Sequence, residues 1–125
     1  MKKIINTPKA PKPIGPYNQA VMTNNMLFVS GQVPINPATG EWAKNDVSEQ
    51  TRQVMENIKE ILKAAGMDFS NVVKCSIFIT SMKNFPIINE VYGKYFSEDH
   101  PARETVEVAG LPLGVDVEIS CIATM

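Results

Sequence analysis

Between Asp46 and Gly66 the chain carries an unbroken helical pattern, and this segment limits how the rest can fold. Val47, Thr51, Val54, Met55, Ile58, Ile61, Leu62 and Ala65 recur at the spacing of one helix face, with Glu56 and Glu60 on the wet side. Asp46 has N-cap chemistry, and Glu49 follows three residues later, as in a reciprocal capping box. Gly66 ends the pattern by supplying a left-handed position. Such a helix has one apolar stripe and must bury it against a neighbouring layer.

The flanking segments supply that layer. Residues 17–22 and 26–31 surround Thr23-Asn24-Asn25 and predict a hairpin. Residues 72–80 predict a strand whose apolar face is Val73, Cys75, Ile77 and Ile79, with Lys74, Ser76 and Thr80 on the other side. A second helix starts near Asn84 and tolerates Pro86 in its first turn. Its buried stripe is Phe85, Ile88, Tyr92, Tyr95 and Phe96, and Pro101 bars continuation. Two further β segments, 103–108 and 115–123, close the chain around residues 110–114. The proline-rich stretch 7–16 cannot be helix interior or central strand and is read as an extended arm. Pro34, Pro37, Gly40 and Asn45 make 33–45 a surface loop.

The order β-β-α-β-α-β-β predicts an α+β fold, a single mixed β-sheet with both helices on one face. At 125 residues the chain is expected to be one domain, 1–125, able to bury one core. The other sheet face carries Phe78 and Ile122, too apolar for full exposure, and a partner subunit would cover it.

Composition narrows the function. The net charge is −1 with Lys and Arg spread along the chain, which offers no basic footprint for nucleic acid and no polybasic membrane patch. No apolar run approaches the ~20 residues of a membrane span. The basic start, Met1-Lys2-Lys3, has no apolar stretch after it, so the chain is read as cytosolic with Cys75 and Cys121 as reduced core residues. His100 is the only histidine, which leaves no Ser–His or Cys–His nucleophile and no metal-ligand cluster.

The chemistry that remains is near the C-terminus. Strand alternation puts Arg103, Thr105 and Glu107 on one face, and Asp116, Glu118 and Ser120 on one face of the last strand. Antiparallel pairing of these two strands would set Thr105 opposite Glu118 and Arg103 near Ser120, on the sheet face away from the helices. A guanidinium recognises a planar carboxylate with two prongs, and a carboxylate beside it can hold or activate water. The same spacing also fits a cross-strand surface pair with no chemical role.

Six segments in order, IGPYNQAV (14–21), LFVSGQVPINPATGE (27–41), QTRQVMENIKEILKAAG (50–66), VVKCSIFITSMKNFPIINEVYGKYF (72–96), PARETVEVAGLP (101–112) and VEISCIA (117–123), resemble the RidA family, also called YjgF or reactive-intermediate deaminases. The resemblance implies a YjgF-like (chorismate mutase-like) fold and a homotrimer with a central β-barrel. It further implies clefts between subunits that hydrolyse 2-enamine and 2-imine acids, such as 2-aminoacrylate, 2-iminopropanoate and 2-iminobutanoate, to 2-oxo acids and ammonia without cofactor or metal. Carried over by position, Arg103 would bind the substrate carboxylate and Glu118 would orient water. Tyr17 would close over the ligand, and Ser30, Gly31, Asn89, Thr105 and Pro112 would line the pocket. Thr105 stands where many members have cysteine, and a contact through its backbone carbonyl survives that change. Glu104 is less usual than a small residue and is expected to alter substrate preference. The alternative is a non-catalytic trimer that binds a 2-oxo acid. A ribonuclease role, attached to some members, fits poorly with the near-neutral charge and lone histidine.

Overall fold

A computed structural model describes residues 1–125. Six strands form one sheet: β1 (Lys3–Ile5), β2 (Ala20–Thr23), β3 (Met26–Gln32), β4 (Val72–Ile79), β5 (Ala102–Glu107) and β6 (Val117–Thr124), in spatial order β1-β2-β3-β6-β4-β5. Two helices, α1 (Val47–Ala64) and α2 (Phe85–Gly93), accompany it; α1 packs over β3 and β6, and α2 packs beside α1. The α+β expectation holds, with a short extra strand, β1, on the β2 edge.

Local chemistry explains most boundaries. Asn24 and Asn25 adopt φ values of 48° and 62°, the paired left-handed positions of a tight hairpin turn between β2 and β3. Asp46 caps α1 by accepting from the Glu49 N–H at 3.0 Å. The return half of the expected capping box is absent, because the Glu49 carboxylate turns to Arg52 instead (2.6–3.0 Å). At the other end Met67 N–H donates to Leu62 C=O at 2.8 Å and Gly66 takes φ 75°, a Schellman close.

Three expectations need correction. Val73 is 43% exposed, because the β4–β6 register shifts between Val72 and Lys74 and Val72 takes the core position. The α2 stripe includes buried Val91, while Tyr95 and Phe96 lie beyond the helix in an aromatic cluster with Phe69 and Tyr92, at ring distances of 5.0–5.4 Å. Most consequentially, β5 does not pair with β6. It runs parallel to β4, which pairs antiparallel with β6 on its other side.

Burial preference drives this arrangement. Val117, Ile119, Cys121 and Ala123 are all buried, so β6 belongs in the sheet centre. Ala102–Glu107 reads ARETVE, polar enough to sit at an edge, and the connection through α2 forms a β-α-β unit. The sheet face turned away from the helices leaves Phe28 and Val106 exposed and Phe78 and Ile122 half-buried. No helix is long and apolar enough to cross a membrane.

Candidate functional site

One half of the site forms where β3 meets β6. The ladder is regular from Met26–Thr124 to Val29–Cys121, then slips before Gln32–Ile119, so Ser30 and Gly31 occupy an irregularity. Gly31 faces the Glu118 carboxylate. A Cβ at Gly31 would fall 2.5 Å from Glu118 Oε2 and 2.7 Å from its Cδ, closer than any side chain permits. Glycine at 31 is therefore the space in which the carboxylate sits.

Glu118 itself is half-buried, and burial pushes its carboxyl above the usual carboxylate range. No cation lies within ion-pair distance to reverse that shift. Ser30 is tied down by its Oγ, which donates to Asn18 C=O at 2.7 Å, and by its N–H, which donates to Gln19 C=O at 2.9 Å.

The arm beside this half is held by one buried glutamine. Gln19 Nε2 faces the carbonyls of Thr7, Ala10 and Pro11 at 3.0, 3.2 and 2.9 Å, and its Oε1 accepts from Thr7 N–H at 2.7 Å. Tyr17, two residues earlier, is 46% exposed and lines a small cavity with Ile14, Gly31 and Val33.

The other half forms where β5 meets α2. Arg103 pairs with Cys75 across the parallel ladder, so its side chain rises on the helix side. Its Nη1 donates to Asn89 Oδ1 at 2.8 Å, and its guanidinium lies 5.6 Å from the Phe85 ring centre and 5.1 Å from that of Tyr92. Phe85, Asn89 and Tyr92 share one face of α2 through i, i+4 and i+3 spacing. An amide and two rings hold the guanidinium without neutralising it, so its charge remains for an anion. Thr105 lies two residues along, and its buried hydroxyl has no hydrogen-bond partner. Pro112 is exposed at the start of a turn in which Leu113 takes φ 62°.

The two halves do not meet within one chain. Glu118 pairs with Phe78 on the face away from the helices, Arg103 lies on the helix face, and β4 runs between their strands. The expected register, Thr105 opposite Glu118 and Arg103 near Ser120, is replaced: Thr105 pairs with Ile77 and Ser120 with Ser76.

The family model described as Endoribonuclease L-PSP matches residues 7–125. A RutC family protein of Pyrococcus horikoshii is 53% identical over 98% of both chains. A Bos taurus protein named 2-iminobutanoate/2-iminopropanoate deaminase is 46% identical over 98% of this chain and 90% of its own length. The crystal structure of E. coli TdcF with bound serine superposes with a TM-score of 0.95 at 44% identity, covering 98% of each chain. The chain belongs to the RidA (YjgF/RutC) family.

In this RidA-family chain Glu104 is not a neighbour of the Arg103 guanidinium. Its side chain takes the opposite sheet face, bonded to the Ser76 hydroxyl and 3.1 Å from Lys74 Nζ, and these two contacts lower its pKa. Three buried amides that position the site went unread in the sequence. Gln19 holds the arm. Asn57 Nδ2 donates to Val33 and Ile35 C=O at 3.2 and 3.0 Å, which holds the loop after Gly31. Gln50 accepts from Asp116 N–H at 3.0 Å and donates to its Oδ2 at 2.8 Å, just before β6 carries Glu118. The signal was available for the last two. Gln50 and Asn57 stand at helical spacing from Val54 and Ile61 on the apolar stripe, where a polar residue has to find a partner.

Proposed function

We propose that the protein hydrolyses 2-imino and 2-enamino acids to 2-oxo acids and ammonia, in the cytosol, at sites shared between copies of the chain. The observation that carries this reading is the placement of Arg103 and Glu118 on opposite faces of one sheet, each already prepared for a role. Neither half can complete the other inside the chain, so a second copy is the natural source of the missing group. The half-apolar sheet face around Phe28, Phe78, Val106 and Ile122 supports such an assembly, and family resemblance points to a trimer.

The chemistry follows from the parts. The Arg103 fork grips the substrate carboxylate, steadied by Asn89. Glu118 accepts a hydrogen bond from water and takes its proton as the oxygen adds to the imine carbon. The resulting carbinolamine loses ammonia, with the proton returned to nitrogen, and C=O replaces C=N. A protonated imine is already electrophilic, so positioning one water supplies the modest acceleration required. Tyr17 covers the ligand, and Ser30, Gly31, Thr105 and Pro112 complete the walls.

The test is a coupled assay in which a pyridoxal-phosphate dehydratase releases 2-aminoacrylate from serine. The imine signal should decay faster with the wild-type protein and at the uncatalysed rate with Glu118→Gln. Equal rates for both proteins overturn the reading. A second reading, a binder without turnover, draws on the serine bound to TdcF. It predicts 2-oxobutanoate binding by the wild type with no acceleration at all.

A further inference from the structure

Cys75 and Cys121 are Cα partners in the β4–β6 ladder, and both are buried on the helix side of the sheet. The hydrogen-bond phase of this ladder is set by Thr80, whose N–H donates to Asp116 C=O at 3.2 Å in the same register. Bonded pairs alternate, so 80–116, 78–118, 76–120 and 74–122 are bonded and Cys75–Cys121 is a non-bonded pair. Such pairs bring Cα atoms to ~4.5 Å with side chains closest together. That is at the short end of the range a disulfide spans, about 4.4–6.8 Å.

The surroundings of the pair matter as much as the distance. The Tyr92 hydroxyl is buried against the Cys75 thiol without a well-formed hydrogen bond, and the Tyr92 ring is the surface on which Arg103 rests. Burial pushes both thiols up, while Tyr92 and Arg103 pull Cys75 back down and nothing does so for Cys121. Cys75 is therefore the sulfur that ionises first.

We propose that Cys75 and Cys121 form a reversible redox pair, closed by a peroxide into a disulfide within one chain, and that closure loosens the Arg103 anchor through Tyr92. The Cys75 thiolate attacks the peroxide O–O bond and gives a sulfenic acid, with the other oxygen leaving as water after protonation. Cys121 sulfur then attacks the Cys75 sulfur, the S–S bond forms, and a second water departs. Two thiols lose two electrons and two protons in all, and the peroxide is reduced to two waters. A bond at the short end of its geometric range is strained and readily reduced by a dithiol. The effect on the anchor rests on the functional reading above; disulfide closure does not.

The experiment treats the native protein with hydrogen peroxide, alkylates it in denaturant without reductant, and digests it with trypsin. Cleavage after Lys74, Lys83 and Arg103 releases Cys75 in peptide 75–83 and Cys121 in peptide 104–125. The expected result is a disulfide-linked species of these two peptides, from protein that runs as a monomer on a non-reducing denaturing gel, abolished by dithiothreitol. Binding of 2-oxobutanoate should weaken roughly several-fold after oxidation, recover on reduction, and be insensitive to peroxide in Cys121→Ala. Thiols that stay fully alkylatable, or that yield only sulfinic acid or links between chains, overturn the disulfide. A linked pair with unchanged 2-oxobutanoate affinity overturns the coupling to Arg103. If the reduced protein does not bind 2-oxobutanoate, the functional reading has failed, and the peptide map still decides the disulfide.

Discussion

Arg103 and Glu118 are charged groups prepared in opposite ways. The guanidinium is pinned by Asn89 and two aromatic rings, with no carboxylate in ion-pair contact. The carboxylate has burial as its only perturbation and a glycine-shaped space beside it. A group that recognises an anion profits from rigidity and permanent charge. A group that accepts a proton from water profits from desolvation, which moves its pKa toward neutrality. On the function proposed above, the contrast matches recognition at one half-site and proton transfer at the other.

The sharpest way to break this contrast is Glu118→Gln, which should lower kcat about 100-fold or more while 2-oxobutanoate still binds. Calorimetry beside the coupled assay checks both halves of that statement, and a parallel loss of binding would refute the division of labour. The same variant should be more stable than wild type at neutral pH. The folded state holds the Glu118 proton more tightly than the unfolded chain does, so wild-type stability falls as pH rises from the ordinary carboxylate value through the raised one. Glutamine escapes that loss, and melting curves across this range should converge at low pH. Turnover depends on the ionised form, so the acid limb of kcat should lie above the pH of a solvent-exposed glutamate.

Arg103→Lys keeps the charge but gives up the fork and the ring stack. A charge-assisted hydrogen bond is worth ~1.5–3 kcal/mol. The expected loss is about 10- to 100-fold in kcat/KM, with circular dichroism unchanged. A drop in kcat alone would mean that the guanidinium does something other than grip the substrate.

Gly31→Ala probes the other half. Its Cβ displaces the carboxylate at the end of a flexible side chain, so the fold should survive while kcat falls by roughly tenfold. The smallest effect belongs to Thr105→Val. The hydroxyl is buried without a partner, and replacing it by a methyl group should change stability by about 1 kcal/mol or less, in the favourable direction. A large destabilisation would show that the hydroxyl has a partner in the assembled protein.

Patterning revealed α1 almost to the residue, the β2–β3 hairpin and the buried face of β6, because these depend on periodicity and caps within one segment; it misplaced Val73, missed Val91 in α2 and turned the Arg103 face of β5 away from the helices. It also marked Arg103 and Glu118 as candidates on one sheet face, and the structure places them on opposite faces. The amides Gln19, Gln50 and Asn57 were overlooked, because their partners are backbone groups up to 66 residues away.

What the sequence determined by itself is a set of elements and their buried faces, which short-range repeats of 2 and 3.6 residues dictate. What tertiary structure alone decided is which strand lies beside which. The two C-terminal segments are neighbours along the chain, yet β4 separates them, because β6 has a fully buried face and has to be central while β5 is polar and takes the edge. That one insertion puts the guanidinium and the carboxylate on opposite faces. Alternation along a strand reports which way a side chain turns, but competition among all six strands for the interior sets where it ends up.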